Sequence, residues 1–268
     1  MPPTTHPAEA WSRLKKVYPD ETWFGGTHLE ENKPRLMLML QDIATWHPPG
    51  SPARIVDVGC FNGFLPYLLS QLGYQTAGID AISLDRVPER TKIMAEVRAP
   101  FYQSNFNHLD PFPDVPRGTF DVAILGEVIE HIFNHPVGLV RAIGSLLKPG
   151  GHLILTTPNP RTLANAVRLL RGHWICWGDG EFATMPKISA AGEILSFEDI
   201  HYREYGRDSL LDLIGQAGFA IGRHQYLGTG VAPHQPFLRR TIKSSPLWGQ
   251  ISRHRLFGLS HYVIAKRP

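Results

Sequence analysis

The chain has 268 residues, 43% hydrophobic and 19% charged, a balance that can bury one sizeable core and excludes a disordered chain. No apolar run approaches the roughly twenty residues a membrane-crossing helix needs, and the start MPPTTHPAEA lacks the basic and apolar regions of a secretory signal. Two cysteines, Cys60 and Cys176, exclude a disulfide framework and point to a reducing cytoplasm. The net charge of +3 is unevenly spread. Residues 222–268 hold eight Lys/Arg and no Asp/Glu, whereas residues 1–221 hold nineteen Lys/Arg and twenty-four Asp/Glu. A basic tail on an acidic body suits an anionic partner such as a phosphorylated substrate, nucleic acid or acidic glycan, or serves as a solvated surface.

Residues 1–52 read as a proline-rich extension with one helix, predicted over 34–46. Pro34 stands in its first turn, and Leu36, Met39, Leu40 and Ile43 share a face. HPPGSP (47–52) is a linker. From 53 onward strands and helices alternate. RIVDVG (54–59), YQTAGID (74–80), FYQSN (101–105), FDVAILG (120–126) and HLILTTPN (152–159) are predicted strands; FLPYLLSQLG (64–73) and PVGLVRAIGSLLKPGG (136–151) are helices between them. SLLDLIGQAGF (209–219) is a further helix, followed by strand AIGRHQYLG (220–228) and a last strand, HYVIAKRP (261–268). This pattern predicts an α/β domain over 53–268 with a doubly wound, mostly parallel seven-stranded sheet. Two excursions interrupt it, 160–200 and 229–257; the second carries RRTIK (239–243) and RHR (253–255). Excursions of that length inside a compact domain are usually functional. No internal repeat is evident.

IVDVGCFNGF (55–64) runs from a strand into Asp57-x-Gly59-x-x-x-Gly63 and a helix. Glycines there let the backbone turn tightly and approach a ligand facing the helix N-terminus. The loop is neither G-x-G-x-x-G nor a P-loop. Asp80 ends the second strand, where a carboxylate can accept both hydroxyls of a ribose or cap a helix.

These residues resemble the class I S-adenosylmethionine-dependent methyltransferases over roughly 53–228 plus the last strand. The resemblance implies a Rossmann-like methyltransferase fold and S-adenosylmethionine as cofactor. It implies Asp57, Gly59 and Gly63 under the methionine part, Asp80 on the ribose, and Asn105 and Phe106 near the adenine. LLKPGGHLIL (146–155) matches the Pro-Gly-Gly signature of that family. One departure is Phe61, which stands at the family's middle glycine; a locally altered loop is expected, with the ring turned away from the cofactor.

EVIEHI (127–132) follows the fourth strand at the edge where open α/β sheets bind ligands. On a helical turn Glu127, Glu130 and His131, spaced i, i+3 and i+4, share one face. Two carboxylates and an imidazole converging there want a cation between them. Oxygen ligands with imidazole suit Mg²⁺ or Mn²⁺, and also Zn²⁺, Co²⁺ or Fe²⁺. A solvated helix start would use the same residues, with the acids favoured by the helix dipole. EVIEH with a later histidine, an aromatic-Arg-Glu-aromatic stretch and a helix is similar to the small-RNA 3′-terminal 2′-O-methyltransferases. The Glu-x-x-Glu-His turn alone is similar to the ubiquinone-biosynthesis O-methyltransferases. The first resemblance implies Glu127, Glu130, His131 and His201 as metal ligands.

A metal bound to an alcohol lowers its pKa and orients it, and chelation of two adjacent hydroxyls fixes the line of attack. His131 or Glu130 would then take the proton. Without a metal, His131 alone is the expected base, with His108, His135 and His173 as lesser candidates. Trp23, Phe24, Trp174, Trp177, Phe182 and Tyr202 could form an aromatic lid over a sugar or ring. The expected activity is therefore O-methylation of a sugar or saccharide bearing a vicinal diol. The alternatives are an RNA 3′ end, a catechol or quinol-precursor ring, or a cofactor-binding protein without catalysis. The expected partner is a small-molecule or oligosaccharide acceptor, nucleic acid being less favoured because no appended RNA-binding domain is recognisable.

Overall fold

A computed structural model describes residues 6–18, 28–172, 186–188, 194–197, 201–228, 250, 251 and 253–268. Seven strands form one sheet: β1 (Arg54–Val58), β2 (Gln75–Asp80), β3 (Phe101–Gln103), β4 (Phe120–Gly126), β5 (Leu147–Pro158), β8 (Ala220–Leu227) and β9 (Ser260–Lys266). Their order is β3-β2-β1-β4-β5-β9-β8. The first five run parallel, and β9 is antiparallel to both β5 and β8. β6 (Pro186–Ile188) and β7 (Ile194–Phe197) form a separate antiparallel pair within the first excursion. The chain turns outward in both directions from β1 and β4, so the carboxyl ends of those two strands form the switch point where such sheets bind ligands.

Alternation along the strands builds two cores. Val56, Val58, Ala123, Leu125, Leu153, Leu155, Val263 and Ala265 face α5 (Pro136–Leu146) and α7 (Arg207–Gln216). Ile55, Val122, Ile124, Ile154, Tyr262 and Ile264 face the other way, against α1 (Pro7–Val17), α2 (His28–Trp46) and α3 (Phe64–Gln71). Both faces are buried, as a mostly parallel sheet requires. α4 (Pro88–Glu96) adds Ile93 to the second core, and α6 (Leu163–Leu170) follows β5.

The sequence reading assigned no element to the stretches that form α1, α4, α6, β6 and β7, and it placed the start of α2 and the Pro-Gly-Gly stretch differently. α1 forms within the proline-rich extension, ahead of the one helix expected there, because Pro7 opens it and Ala10, Trp11 and Leu14 bury one stripe. α2 begins six residues before Pro34, so that proline lies inside the helix. It is exposed, where the carbonyl it cannot satisfy meets water. The Pro-Gly-Gly stretch belongs to β5 rather than to the end of α5: Leu147 pairs with Phe120, and a register shift follows before His152 pairs with Val122.

α2 is fastened to the sheet by one buried acid. Tyr262 donates to Asp42 Oδ2 at 2.7 Å, and Arg223 pairs with the same oxygen. Two turns earlier on α2, Arg35 is thereby held over the carboxyl end of β4.

Candidate active site

The loop after β1 keeps its shape through two left-handed glycines. Gly59 has φ +82°, and a Cβ there would lie 2.2 Å from Val128 Cγ2. Gly63 has φ +79° with Ile93 Cγ2 at 3.2 Å from the same construction. Phe61, between them, is left-handed too, at φ 41°, a conformation that strains a residue with a side chain. Its N–H donates to Asp80 Oδ2 at 2.8 Å, while Asp80 Oδ1 accepts from the Ile82 N–H at 2.8 Å. Arg90, wholly buried, pairs with Asp80 Oδ2 at 3.1 Å and lies over the Phe101 ring. A carboxylate offers about four lone-pair sites, so Asp80 keeps acceptor capacity for one further hydroxyl beside these three donors.

Asp57 is buried at the end of β1, and burial, helped by Asp80 and opposed by Arg35, pushes its pKa up to about 7. Asn105 closes a turn by accepting from the Asn107 N–H at 3.1 Å. Phe106 packs into the core against Phe112, ring centroids 6.2 Å apart. Asn107, which the sequence reading passed over, staples this loop to the one after β4: its Oδ1 accepts the N–H groups of Phe133 and Asn134.

Glu127 does not share a helical face with Glu130 and His131. Its φ is +55°, and the helical turn is a short 3₁₀ segment, Ile129–His131, that starts after it. The left-handed residue turns the Glu127 carboxylate toward α2, where Arg35 Nη1 holds it at 2.8 Å and also donates to Thr156 Oγ1 at 3.2 Å. Arg35 is the second residue the sequence did not announce; it sits in an ordinary amphipathic helix, and its role exists only through the packing of that helix on the sheet.

Glu130, His131 and His201 do converge. Each offers a ligand atom, and those atoms lie within 4.8 Å of one another. Glu127 is not in that group. Glu130 is 1% exposed, and its Oε2 accepts from Thr157 Oγ1 at 2.9 Å. Burial, reinforced by the neighbouring Glu127, raises its pKa well above the usual carboxylate range. The His131 and His201 rings meet edge to face at 5.0 Å. Segment 201–206 is brought here by its backbone: Tyr202 N–H donates to the Glu130 carbonyl at 2.9 Å. His201 Nδ1 lies 3.1 Å from Glu204 Oε1, which fixes the ring and leaves Nε2 as its other ligand atom, the arrangement common behind metal-binding histidines. The i, i+3 spacing of His201 and Glu204 was visible in the sequence.

Of the other candidates, His108 and His135 are exposed, and the His135 ring lies over Gly138 in the first turn of α5. Tyr202 packs against Phe133, centroids 5.4 Å apart. His173, Trp23, Phe24, Trp174, Trp177 and Phe182 lie outside the described residues.

A family model described as a methyltransferase domain matches residues 29–224. The ubiquinone biosynthesis O-methyltransferase of Xanthomonas campestris pv. campestris is 34% identical over 124 residues, 46% of this chain and 50% of that protein. The mitochondrial mouse protein of the same name is 31% identical over 135 residues, 49% of this chain and 36% of that one. The chain thus spans half the length of these curated relatives or less. Among solved structures, the 1,6-didemethyltoxoflavin-N1-methyltransferase of Burkholderia thailandensis, with 1,6-didemethyltoxoflavin and S-adenosylhomocysteine bound, aligns at TM-score 0.55 and 16% identity, covering 100% of this chain and 92% of that one. The [4+2]-cyclase SpnF aligns at TM-score 0.55 and 16% identity, covering 100% and 97%. At such identities the likeness concerns the fold alone, and the two chemistries differ.

Proposed function

Because the chain belongs to the methyltransferase-domain family, we propose that it is an S-adenosylmethionine-dependent O-methyltransferase that uses a divalent cation held by Glu130, His131 and His201. The observation that carries this reading is the convergence of those three side chains around a buried carboxylate. A carboxylate buried that deeply is costly to ionise unless a positive charge meets it.

The residues fit both groups. Asp80 retains acceptor capacity for a ribose hydroxyl. Asp57 would offer an acid, and Arg35 a cation, for the ammonium and carboxylate ends of an amino-acid moiety, so we count Arg35 with Gly59, Gly63, Asn105 and Phe106 among the residues proposed to hold the cofactor. The cofactor supplies an electrophilic methyl group on a sulfonium. Mg²⁺ or Mn²⁺ on the Glu130 set would lower the pKa of a coordinated hydroxyl.

The chain does the rest by placement. Thr157 fixes one Glu130 oxygen, and Glu204 fixes His201. Arg35 neutralises Glu127, so one acid fewer competes in the cluster. His131, between Glu130 and His201 and less buried than Glu130, takes the hydroxyl proton when it is not fully engaged as a ligand. A metal held by these three groups would leave room for two adjacent substrate oxygens, and the acceptor that fits this reading is a vicinal diol of a sugar or saccharide. A second reading, a catechol-type ring, is favoured by the similarity to the ubiquinone biosynthesis O-methyltransferases and presents the same oxygen pair.

The test is methyl transfer onto a panel of saccharides, catechols and RNA 3′ ends, with Mg²⁺ or Mn²⁺ and then with EDTA. Turnover on a saccharide or catechol that EDTA abolishes supports the reading, and the preferred acceptor separates the two substrates. Turnover that survives EDTA removes the metal and leaves His131 as the base. Cofactor binding with no turnover on any acceptor would favour a non-catalytic protein.

A further inference from the structure

A cavity of about 380 Å³ lies at the amino-terminal edge of the sheet, the edge away from the loops after β1 and β4. Arg54, Thr76 and Phe120 line it from the starts of β1, β2 and β4, and Arg98 lines it from the turn between α4 and β3. Tyr74 adds a wall, its hydroxyl donating to the His47 carbonyl at 2.6 Å. The volume falls within the range of small-molecule sites. From Gln75 to Asp80 β2 rises roughly 16 Å, so an occupant here stands clear of Asp80.

The lining includes two arginines and no acid. The Arg54 guanidinium lies over the Phe120 ring, 5.1 Å from its centroid, which holds the fork in place and leaves its N–H donors to other partners. Asp121, next to Phe120, accepts the Arg54 backbone N–H at 2.8 Å and pairs with Lys148 at 2.7 Å, so its charge is matched away from that guanidinium. Among the described residues no carboxylate pairs with either the Arg54 or the Arg98 side chain. Arg98 sits at φ 52°, a left-handed backbone that the turn alone would give to glycine. What arginine adds there is a charge at the cavity. Thr76, 9% exposed, adds a hydroxyl. We propose that this cavity binds a small phosphate monoester carrying a flat ring. Two guanidinium forks and a hydroxyl match the phosphate oxygens, and Tyr74 with Val97 and Pro100 flanks the ring. A lone carboxylate would engage one fork and leave the other cation unmatched. The site sits beneath β1 and β2, which carry Asp57 and Asp80 further along, and it does not depend on the reaction proposed above.

The test is calorimetric titration of the full chain with phenyl phosphate, inorganic phosphate and benzoate, each with and without saturating S-adenosylhomocysteine. Phenyl phosphate should bind once per chain and more tightly than the other two probes, and S-adenosylhomocysteine should leave that affinity in place. Arg54→Gln and Arg98→Gly should each weaken it by about tenfold or more. Arg98→Gly keeps the fold, because φ 52° suits glycine, so its loss of binding is not a loss of structure. Where Arg54→Gln melts early, Arg98→Gly carries the test. A wild type that does not bind millimolar phenyl phosphate, or variants that bind it unchanged, would overturn the proposal. So would displacement by S-adenosylhomocysteine, which would put the phosphate in the cofactor site, or benzoate bound as tightly, which would make this a carboxylate site. An Arg98→Gly chain that melts lower yet binds as the wild type does would assign the charge to the carboxyl end of α4 instead.

Discussion

At the scale of single residues, the site depends on side chains that hold other side chains. Glu204 touches no ligand atom of the cluster except through His201. Glu204→Gln should therefore weaken Mn²⁺ affinity by about 10–100-fold while leaving the melting temperature in place; unchanged affinity would make the contact incidental. Gly59 carries a different constraint, a left-handed backbone pressed on Val128. Gly59→Ala adds both a Cβ clash and a strained φ. It should cost about 1–3 kcal/mol in stability and much of the S-adenosylhomocysteine affinity measured by calorimetry. Full-strength binding by that variant would remove the loop from the cofactor site. Glu127 shows what spacing alone conceals. The i, i+3, i+4 pattern places it with Glu130 and His131 only if all are helical, and a single positive φ sends it to Arg35 instead.

At the scale of elements, the strands of the main sheet were legible, as were the buried face and the end of α2, whereas α1 was not. RIVDV, QTAGID and FDVAILG are short apolar runs ended by Asp or Gly, and burial on both faces gives a strand little choice. α1 was hidden by the prolines around it, although Pro7 is what starts it. Pro34 was taken for a helix start because a proline is best tolerated there; the packing of Leu36, Met39, Leu40 and Ile43 carries the helix past that loss. α2 matters to function because it delivers Arg35, and its seat is Asp42. Asp42→Ala strands the buried Tyr262 hydroxyl and unpairs Arg223. It should lower unfolding stability by about 1–3 kcal/mol in urea titration. The same change should also weaken S-adenosylhomocysteine binding if α2 must stay seated for Arg35 to act. A loss of stability with unaltered binding would separate helix from site.

At the scale of the whole molecule, the far edge of the sheet sets a pH limit. His261, fully buried on β9, lies 2.9 Å from His224 on β8. Burial lowers both pKa values from 6.5 to about 4. Folded, these rings bind protons more weakly than unfolded. Stability is thus complete above about 6.5, falls as pH drops below it, and is lost progressively toward 4. The loss is on the order of 2–3 kcal/mol for His261, and less for the half-exposed His224. Thermal melts at pH 7 and pH 5 should differ accordingly, and His261→Gln should flatten the difference; equal melts at both pH values would contradict the assignment. The mostly parallel seven-stranded sheet and the loop glycines could be anticipated because they are written in local patterns. Arg35 and Asn107 could not, because each gains its meaning from an element distant in sequence. The account turns on the Glu130, His131 and His201 cluster, and Mn²⁺ titration followed by electron paramagnetic resonance tests it without knowledge of the acceptor. One Mn²⁺ should bind per chain, and His201→Ala and Glu130→Gln should each abolish that binding; a wild type with no such site, or a site that survives both substitutions, would contradict it.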